Sequence, residues 1–126
     1  MLRILALGSG LLLASATEPL SQMLRINCQT QGPQILFGQI SKAELESGMD
    51  HNGCRYSYTT GGGTLEKAVI MRAPASGELT QVGEFSFFYR PKVGFKGKDS
   101  FTVYLCGTGK FGGTGCARLN YNVTVH

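Results

Sequence analysis

The stretch that decides the fold is "YRPKVGFKGKDSF", residues 89–101, which lies between two runs of alternating aromatic and polar residues. Pro91 has no backbone N–H to donate to a sheet, so it ends the strand before it. Gly94 and Gly97 allow a tight path back. Asp99 can accept hydrogen bonds from neighbouring backbone amides in an Asx-type turn. The stretch therefore predicts a turn between two strands.

The runs on either side of this turn alternate with a period of two, so that every second side chain points to the same face. The side chains that we expect to fill the core are Phe85, Phe87, Tyr89, Phe101, Val103 and Leu105. Burying each fully contributes roughly 1.5–3 kcal/mol before chain entropy is subtracted. Phe95, within the turn, is expected to close the open end of this core.

The same alternation recurs along the chain and predicts an all-β protein, a β-sandwich of about seven strands. The clearest strand is the last, where Leu119, Tyr121, Val123 and Val125 share one face. The expected strands are Met23 to Cys28, Gln34 to Ile40, Cys54 to Thr60, Thr64 to Arg72, Glu84 to Arg90, Ser100 to Cys106 and Ala117 to Val125.

One segment, "SKAELESGM" at residues 41–49, departs from the β pattern and predicts a short helical turn near 41–48. Ser41 could cap it with Glu44 reaching back, and Gly48 could end it. On such a turn Glu44 and Glu46 would point in different directions and would not form an acid/base pair.

Two further segments have turn chemistry. "TTGGGT", residues 59–64, suits a hairpin whose glycines take positive φ, and "RAPASGEL", residues 72–79, is typical of a loop.

The first residues predict a secretory signal peptide over 1–16. They comprise one cation at Arg3, an apolar run, and an A-x-A arrangement at Ala14 and Ala16. The run is too short, and too broken by glycine and serine, for a membrane span of about 20 apolar residues. We expect one exported domain over 17–126, secreted, periplasmic or on the cell surface, with no transmembrane span after cleavage.

Export makes disulfides the expected state of the four cysteines. A zinc site would require closer pairs. Three pairings are open to four cysteines. We favour Cys106 with Cys116, which flank the glycine-rich "GTGKFGGTG", and this leaves Cys28 with Cys54.

The charge balance is mildly basic. The chain has a formal net charge of +4, and loss of Arg3 with the leader leaves +3. Nucleic-acid binding would require a strongly basic face, so we expect none.

The order of residues 87–101 resembles the bacterial immunoglobulin-like and cadherin-like repeats of surface adhesins, with their signature F-x-Y-x-P-x-x-G-F-x-G-x-D-S-F. The resemblance covers about the last third of the chain and implies an immunoglobulin-like Greek-key sandwich. The matching positions, which are structural, are Phe87, Tyr89, Pro91, Gly94, Phe95, Gly97, Asp99, Ser100 and Phe101.

The chain departs from those repeats in three respects: it has a single copy, it has four cysteines, and it lacks the acidic residues that bind calcium at repeat junctions. Array building and calcium binding are therefore not carried over, and we expect no metal or cofactor.

The signature does not account for six residues, which are the candidate binding positions. Four cations occupy its free positions, where a solvated basic loop and a contact patch for an anionic partner are both open. The other two lie at the tip of the glycine-rich loop, because binding residues are common on loops held by a rigid scaffold. The six are Arg90, Lys92, Lys96, Lys98, Lys110 and Phe111.

Nothing in the sequence supports catalysis. "DHNG", residues 50–53, is more typical of a turn than of a calcium loop, and His51 has no nucleophile motif beside it. We expect a binding module for a protein or an anionic polysaccharide of the cell envelope. The alternative is a structural subunit of a surface assembly that self-associates through strand edges.

Overall fold

The computed structural model describes residues 28–126, and the predicted signal peptide and all but the last residue of the first predicted strand lie outside that range. The described chain forms eight strands and no helix. They are β1 (Cys28–Gln31), β2 (Lys42–Met49), β3 (Cys54–Ser57), β4 (Thr64–Arg72), β5 (Gly77–Gly83), β6 (Ser86–Pro91), β7 (Gly97–Thr108) and β8 (Thr114–Val125).

The strands form two sheets, which confirms the all-β architecture. A five-stranded sheet has the order β1-β2-β8-β7-β4, and a three-stranded sheet has the order β3-β6-β5. The only parallel pair within residues 28–126 is β2 with β8. The longest ladder joins β7 to β8 over twelve residues each.

A row of aromatic rings joins the two sheets. Tyr89 of the smaller sheet stacks on Phe101 of the larger one at 5.8 Å between ring centroids, and Phe101 stacks on Tyr121 at 4.8 Å. Tyr56 meets both Phe101 and Tyr121. Five of the six predicted core side chains are buried, and the sixth, Phe85, packs against them partly buried. The predicted inward face of the last strand is buried as well.

The predicted helical turn at 41–48 is wrong, because this segment is strand β2. Ala43, Leu45, Ser47 and Met49 are buried in strict alternation with exposed or half-buried residues. The parallel partner β8 supplies the backbone hydrogen bonds that an isolated segment would have had to make within a helix. Tertiary pairing thus overrides the local capping signal.

The predicted strand at 34–40 is also wrong. The backbone turns at Leu36, whose carbonyl accepts from both Gln39 and Ile40, and Gly38 takes a φ of 86°. The apolar side chains remain in use, because Phe37 is 6% exposed and Ile35 packs against the core. They cover one end of the sandwich instead of contributing to a sheet.

Two turn predictions need revision. Residues 59–64 carry the chain from β3 of one sheet to β4 of the other, so they do not form a hairpin, although Gly62 has the expected positive φ. The expected loop at 72–79 already contains the start of β5. Only Leu79 of β5 is buried, which leaves no alternating apolar pattern to predict that strand.

The turn between β6 and β7 has the predicted form. The amide of Phe95 donates to the carbonyl of Lys92 at 2.9 Å, and Gly94 and Gly97 have φ values of 81° and 129°. Phe95 is half-buried against the core, as its expected closing role requires.

Asp99 is a centre of hydrogen bonding that the sequence shows only in part. Its carboxylate accepts from the amide of Ser100 at 2.8 Å, as an Asx-type turn would. It also accepts from the amides of Ala75 and Ser76, at 3.0 and 2.9 Å, and from the hydroxyl of Tyr89 at 2.8 Å. One carboxylate therefore joins the β4–β5 connection, β6 and β7.

Replacing Asp99 with asparagine is expected to lower the free energy of unfolding by about 3 kcal/mol, because an amide nitrogen cannot accept from Tyr89 and Ser76. Urea unfolding would measure this change. Glu84→Gln is the matched control, since it removes the same charge from an exposed carboxylate and leaves in place the backbone carbonyl of Glu84, which accepts from the side chain of Gln81. It should change stability by less than about 0.5 kcal/mol. Equal losses in the two variants would contradict the assigned role.

The same carboxylate predicts a pH dependence. Burial works to raise the pKa of Asp99, but the bonds from Tyr89 and three amides outweigh it and hold the pKa below its ordinary value. A depressed pKa gives stability that is present above the unfolded value of about 3.9 and is lost as pH falls through the folded value. The difference in unfolding free energy between the native chain and Asp99→Asn should be constant above about pH 5 and should narrow below pH 4. A difference that widens on acidification would contradict this.

A candidate binding cleft at one end of the sandwich

The two ends of the sandwich differ. At one end, called the turn end, residues 92–96 connect β6 to β7. At the other, called the loop end, three connections converge: residues 32–41, residues 58–63 and the β7–β8 hairpin loop at 109–113. These three surround a cleft of about 680 Å³. Ligand sites of small-molecule size occupy roughly 300–1,000 Å³.

Two of these connections touch because glycines leave them room. A Cβ on Gly113 would collide with the carbonyl of Phe37, and a Cβ on Gly115 would lie 3.2 Å from the amide nitrogen of Gly38. The hairpin is closed by its own backbone bond, from Gly109 to the carbonyl of Gly113 at 2.8 Å. The wall formed by the first and third connections is therefore backbone against backbone.

The floor of the cleft is apolar and uncharged. Leu65 and Leu105 belong to it, together with the ring of Tyr58. The hydroxyls of Tyr58 and Tyr121 share a hydrogen bond of 2.7 Å. Burial raises the pKa of Tyr121 to about 12 and raises that of Tyr58 further, so both phenols remain neutral at neutral pH.

The mouth of the cleft carries a cation and an exposed aromatic ring. Phe111 is 87% exposed, and the Nζ of Lys110 lies 5.2 Å from the centre of its ring. Leu36, on the opposite connection, is 39% exposed. Among the described residues that line the cleft, Lys110 is the one that carries a charge.

The structure separates the six predicted binding residues. Lys110 and Phe111 lie at the cleft, whereas the four other cations lie at or near the turn end, at the far end of β7. Twelve strand residues separate the two ends by roughly 36 Å. The four do not share one face, because Arg90 lies on the outer face of the three-stranded sheet over Phe88 and Lys98 lies on the five-stranded sheet.

The sequence interpretation missed most of the cleft. Ile35, Leu36 and Phe37 were assigned to a strand, and Tyr58 was assigned to the end of another. The sequence signal that could have found them is Gly38, a glycine within an apolar run, because glycine weakens a strand. In the structure Gly38 has a positive φ and the chain turns there.

A polar cluster, separate from the cleft, lies on the outer face of the five-stranded sheet. Glu44 and Glu46 share this face, contrary to the expectation for a helical turn, and both accept from Asn122. Asn120 donates to Glu44 at 2.6 Å, and bonds first from Asn120 and then from Asn122 lower the pKa of Glu44. These groups satisfy one another, so they stabilise the parallel β2–β8 pairing.

Residues 50–53 form the predicted turn, in which the amide of Asn52 donates to the Asp50 carboxylate at 2.8 Å. Within residues 28–126, no group of three or more His, Cys, Asp and Glu side chains could hold a metal ion. The same part of the chain contains no helix long and apolar enough to cross a membrane.

No protein-family model matches the chain, and no curated protein sequence matches it.

Both favoured disulfides are present. Cys106 and Cys116 lie directly opposite each other on β7 and β8, next to the hairpin that forms part of the cleft. Cys28 and Cys54 join β1 of the larger sheet to β3 of the smaller one. The first bridge braces the loop end, and the second ties the two sheets together.

Replacing Cys106 and Cys116 together with alanine should lower the free energy of unfolding by about 2.5 kcal/mol, because the bridge closes a loop of about ten residues. Replacing Cys28 and Cys54 together with alanine should lower the free energy of unfolding by about 3.5 kcal/mol, because their sequence separation of 26 closes a longer loop. Urea unfolding would measure both values. Hydrogen exchange should accelerate at residues 109–113 in the first variant only, and acceleration there in the second variant would contradict the local role of the first bridge.

Proposed function

We propose that this protein is an exported, non-catalytic binding domain of immunoglobulin-like fold that holds an apolar group of a cell-envelope component in the cleft at its loop end. The observation that carries the proposal is the cleft itself. It has an apolar floor, walls from three separate connections and an exposed aromatic ring at its mouth. Concave, mostly apolar sites with few polar groups are typical of ligand binding.

The strand arrangement supports the immunoglobulin-like part of the proposal. One sheet contains β3, β6 and β5, and the other contains β2, β8, β7 and β4, so the chain crosses between sheets at β2–β3, β3–β4, β4–β5 and β6–β7. Immunoglobulin-like sandwiches distribute their second to seventh strands in the same way. The signature residues also make structural contacts, since Tyr89 bonds to Asp99 and stacks on Phe101.

Export is supported by the disulfides and by the leader-like sequence of residues 1–16. Two disulfides within a domain of this size are typical of oxidising compartments, which include the periplasm and the cell exterior. Binding rather than catalysis is favoured by the lining, because its described titratable groups are Tyr58 and Lys110, with no Asp, Glu, His or Cys among them to form an acid/base or nucleophile–base pair. The apolar lining suits an envelope protein better than an anionic polysaccharide, the other predicted partner, and it also suits a lipid-like molecule, which was not predicted from the sequence.

The alternative, a structural subunit that associates through strand edges, has less support. Of the four edge strands in the described structure, β1 and β3 have four residues each, and the pairings of β4 and of the seven-residue β5 shift register. Short and bulged edges resist the addition of a further strand.

The proposal predicts that the uncharged dye Nile red binds saturably at the cleft. Its fluorescence should shift to the blue with one site per chain, and Phe111→Ser should weaken binding about tenfold by removing an apolar wall. Val93→Ser is the matched control, because Val93 is a fully exposed apolar side chain at the turn end. Unsaturable binding, or equal effects of the two substitutions, would refute the cleft as the binding site.

A further inference from the structure

We propose that the natural ligand of the cleft is a long-chain carboxylate, bound as a single molecule with its alkyl chain on the apolar floor and its carboxylate at Lys110. This inference rests on the proposed function and specifies its ligand. It follows from the charge, the backbone hydrogen bonding and the size of the cleft.

The charge on the described lining of the cleft is of one sign, positive. Lys110 is cationic, the phenols of Tyr58 and Tyr121 are neutral, and no acidic side chain is found among the described lining residues. The lysine is also held close to the mouth, because its stem passes Gly62, where a Cβ would lie 3.1 Å from the Cβ of Lys110. Lys110 is exposed at the rim of the cleft, so it can pair with an anion held there by its apolar chain, with the modest strength of a surface ion pair.

Part of the backbone around the cleft is already hydrogen-bonded, which favours an alkyl chain over a peptide as the occupant. Gln39 and Ile40 both donate to the carbonyl of Leu36. Gly109 and Gly112 donate within the hairpin, at 2.8 and 3.0 Å. These four amides are therefore unavailable to an incoming main chain, which would lose hydrogen bonds to water where it meets them. An alkyl chain has no such bonds to lose.

The size and charge count argue against docking on a membrane surface. A membrane-binding face requires a cluster of cations, each contributing about 1 kcal/mol near an anionic surface, or a large apolar face. The mouth of the cleft offers one cation and one exposed ring. A partly open cleft of about 680 Å³, lined by three connections, has the size of a site for one small molecule.

Isothermal titration calorimetry with octanoate, decanoate and dodecanoate, each below its micelle concentration, tests the inference on the oxidised protein. Binding should be one to one. The affinity should rise about fourfold per added methylene, which corresponds to 0.8 kcal/mol of burial, until the chain fills the cleft. Decanol and decyltrimethylammonium should bind more weakly than decanoate.

The charge contact is tested by Lys110→Gln, which should weaken decanoate binding about fivefold and leave decanol unchanged. Lys96→Gln is the matched control, an exposed lysine on the loop at the opposite end. Chemical-shift changes on decanoate binding should concentrate on the methyl groups of Ile35, Leu65 and Leu105. Vesicles of an anionic phospholipid should show no binding that depends on Lys110.

Several results would overturn the inference: equal affinity for decanol and decanoate, equal effects of the Lys110 and Lys96 substitutions, no chain-length dependence, or vesicle binding that requires Lys110. The Nile red experiment separates the two levels of the proposal. Dye binding at the cleft without carboxylate binding would reject the ligand and retain the site, whereas failure of both would reject the site.

Discussion

The carboxylate of Asp99 is the constraint on which much of the structure depends. It receives the Tyr89 hydroxyl and two amides of the β4–β5 connection as well as its neighbour's amide. Because Tyr89 is fully buried, its hydroxyl must find a partner inside the protein. Asp99 supplies that partner, and in doing so it holds the ring of Tyr89 against Phe101 between the two sheets. A Cβ on Gly77 would lie 2.6 Å from the same ring, so β5 can pass it only with a glycine there.

The loop end is held together by close backbone packing and a disulfide rather than by a hydrogen-bonded carboxylate. No buried charge organises it in the described structure. Glycines at positions 38, 113 and 115 instead allow two connections to approach closely, and the Cys106–Cys116 bridge braces the strands beneath them. A cleft walled by backbone and braced by a disulfide is largely preformed, which reduces the entropy cost of binding. The rigid ladder of β7 and β8 then places Lys110 and Phe111 at the mouth, where they are free to contact a ligand.

The burial pattern of each strand explains which sequence predictions succeeded. Alternation identified β6, β7 and β8, because their inward positions carry large apolar side chains such as Phe87, Phe101 and Tyr121. It also predicted β4, although only Ala68 is buried along that strand and Val69 and Met71 are exposed. It failed for β2, whose inward side chains include alanine and serine, and for β5, where Leu79 alone is buried. It also failed for residues 34–40, whose apolar side chains cover an end of the core without pairing in a sheet. Of the six predicted binding residues, two lie at the cleft, Lys110 and Phe111, which were predicted from their place at the tip of a glycine-rich loop held by a rigid scaffold.

The sequence by itself determined the β class, the core-facing positions of the long strands and the turn at 92–96, because these follow from side-chain alternation and from the backbone limits of proline and glycine. The favoured cysteine pairing followed from spacing, and the structure confirmed it. The tertiary structure alone decided the parallel pairing of β2 with β8, the reach of Asp99 to Ala75 and Ser76, and the meeting of three connections around the cleft. These features join residues more than twenty positions apart, and only the packing of the whole domain brings such residues together.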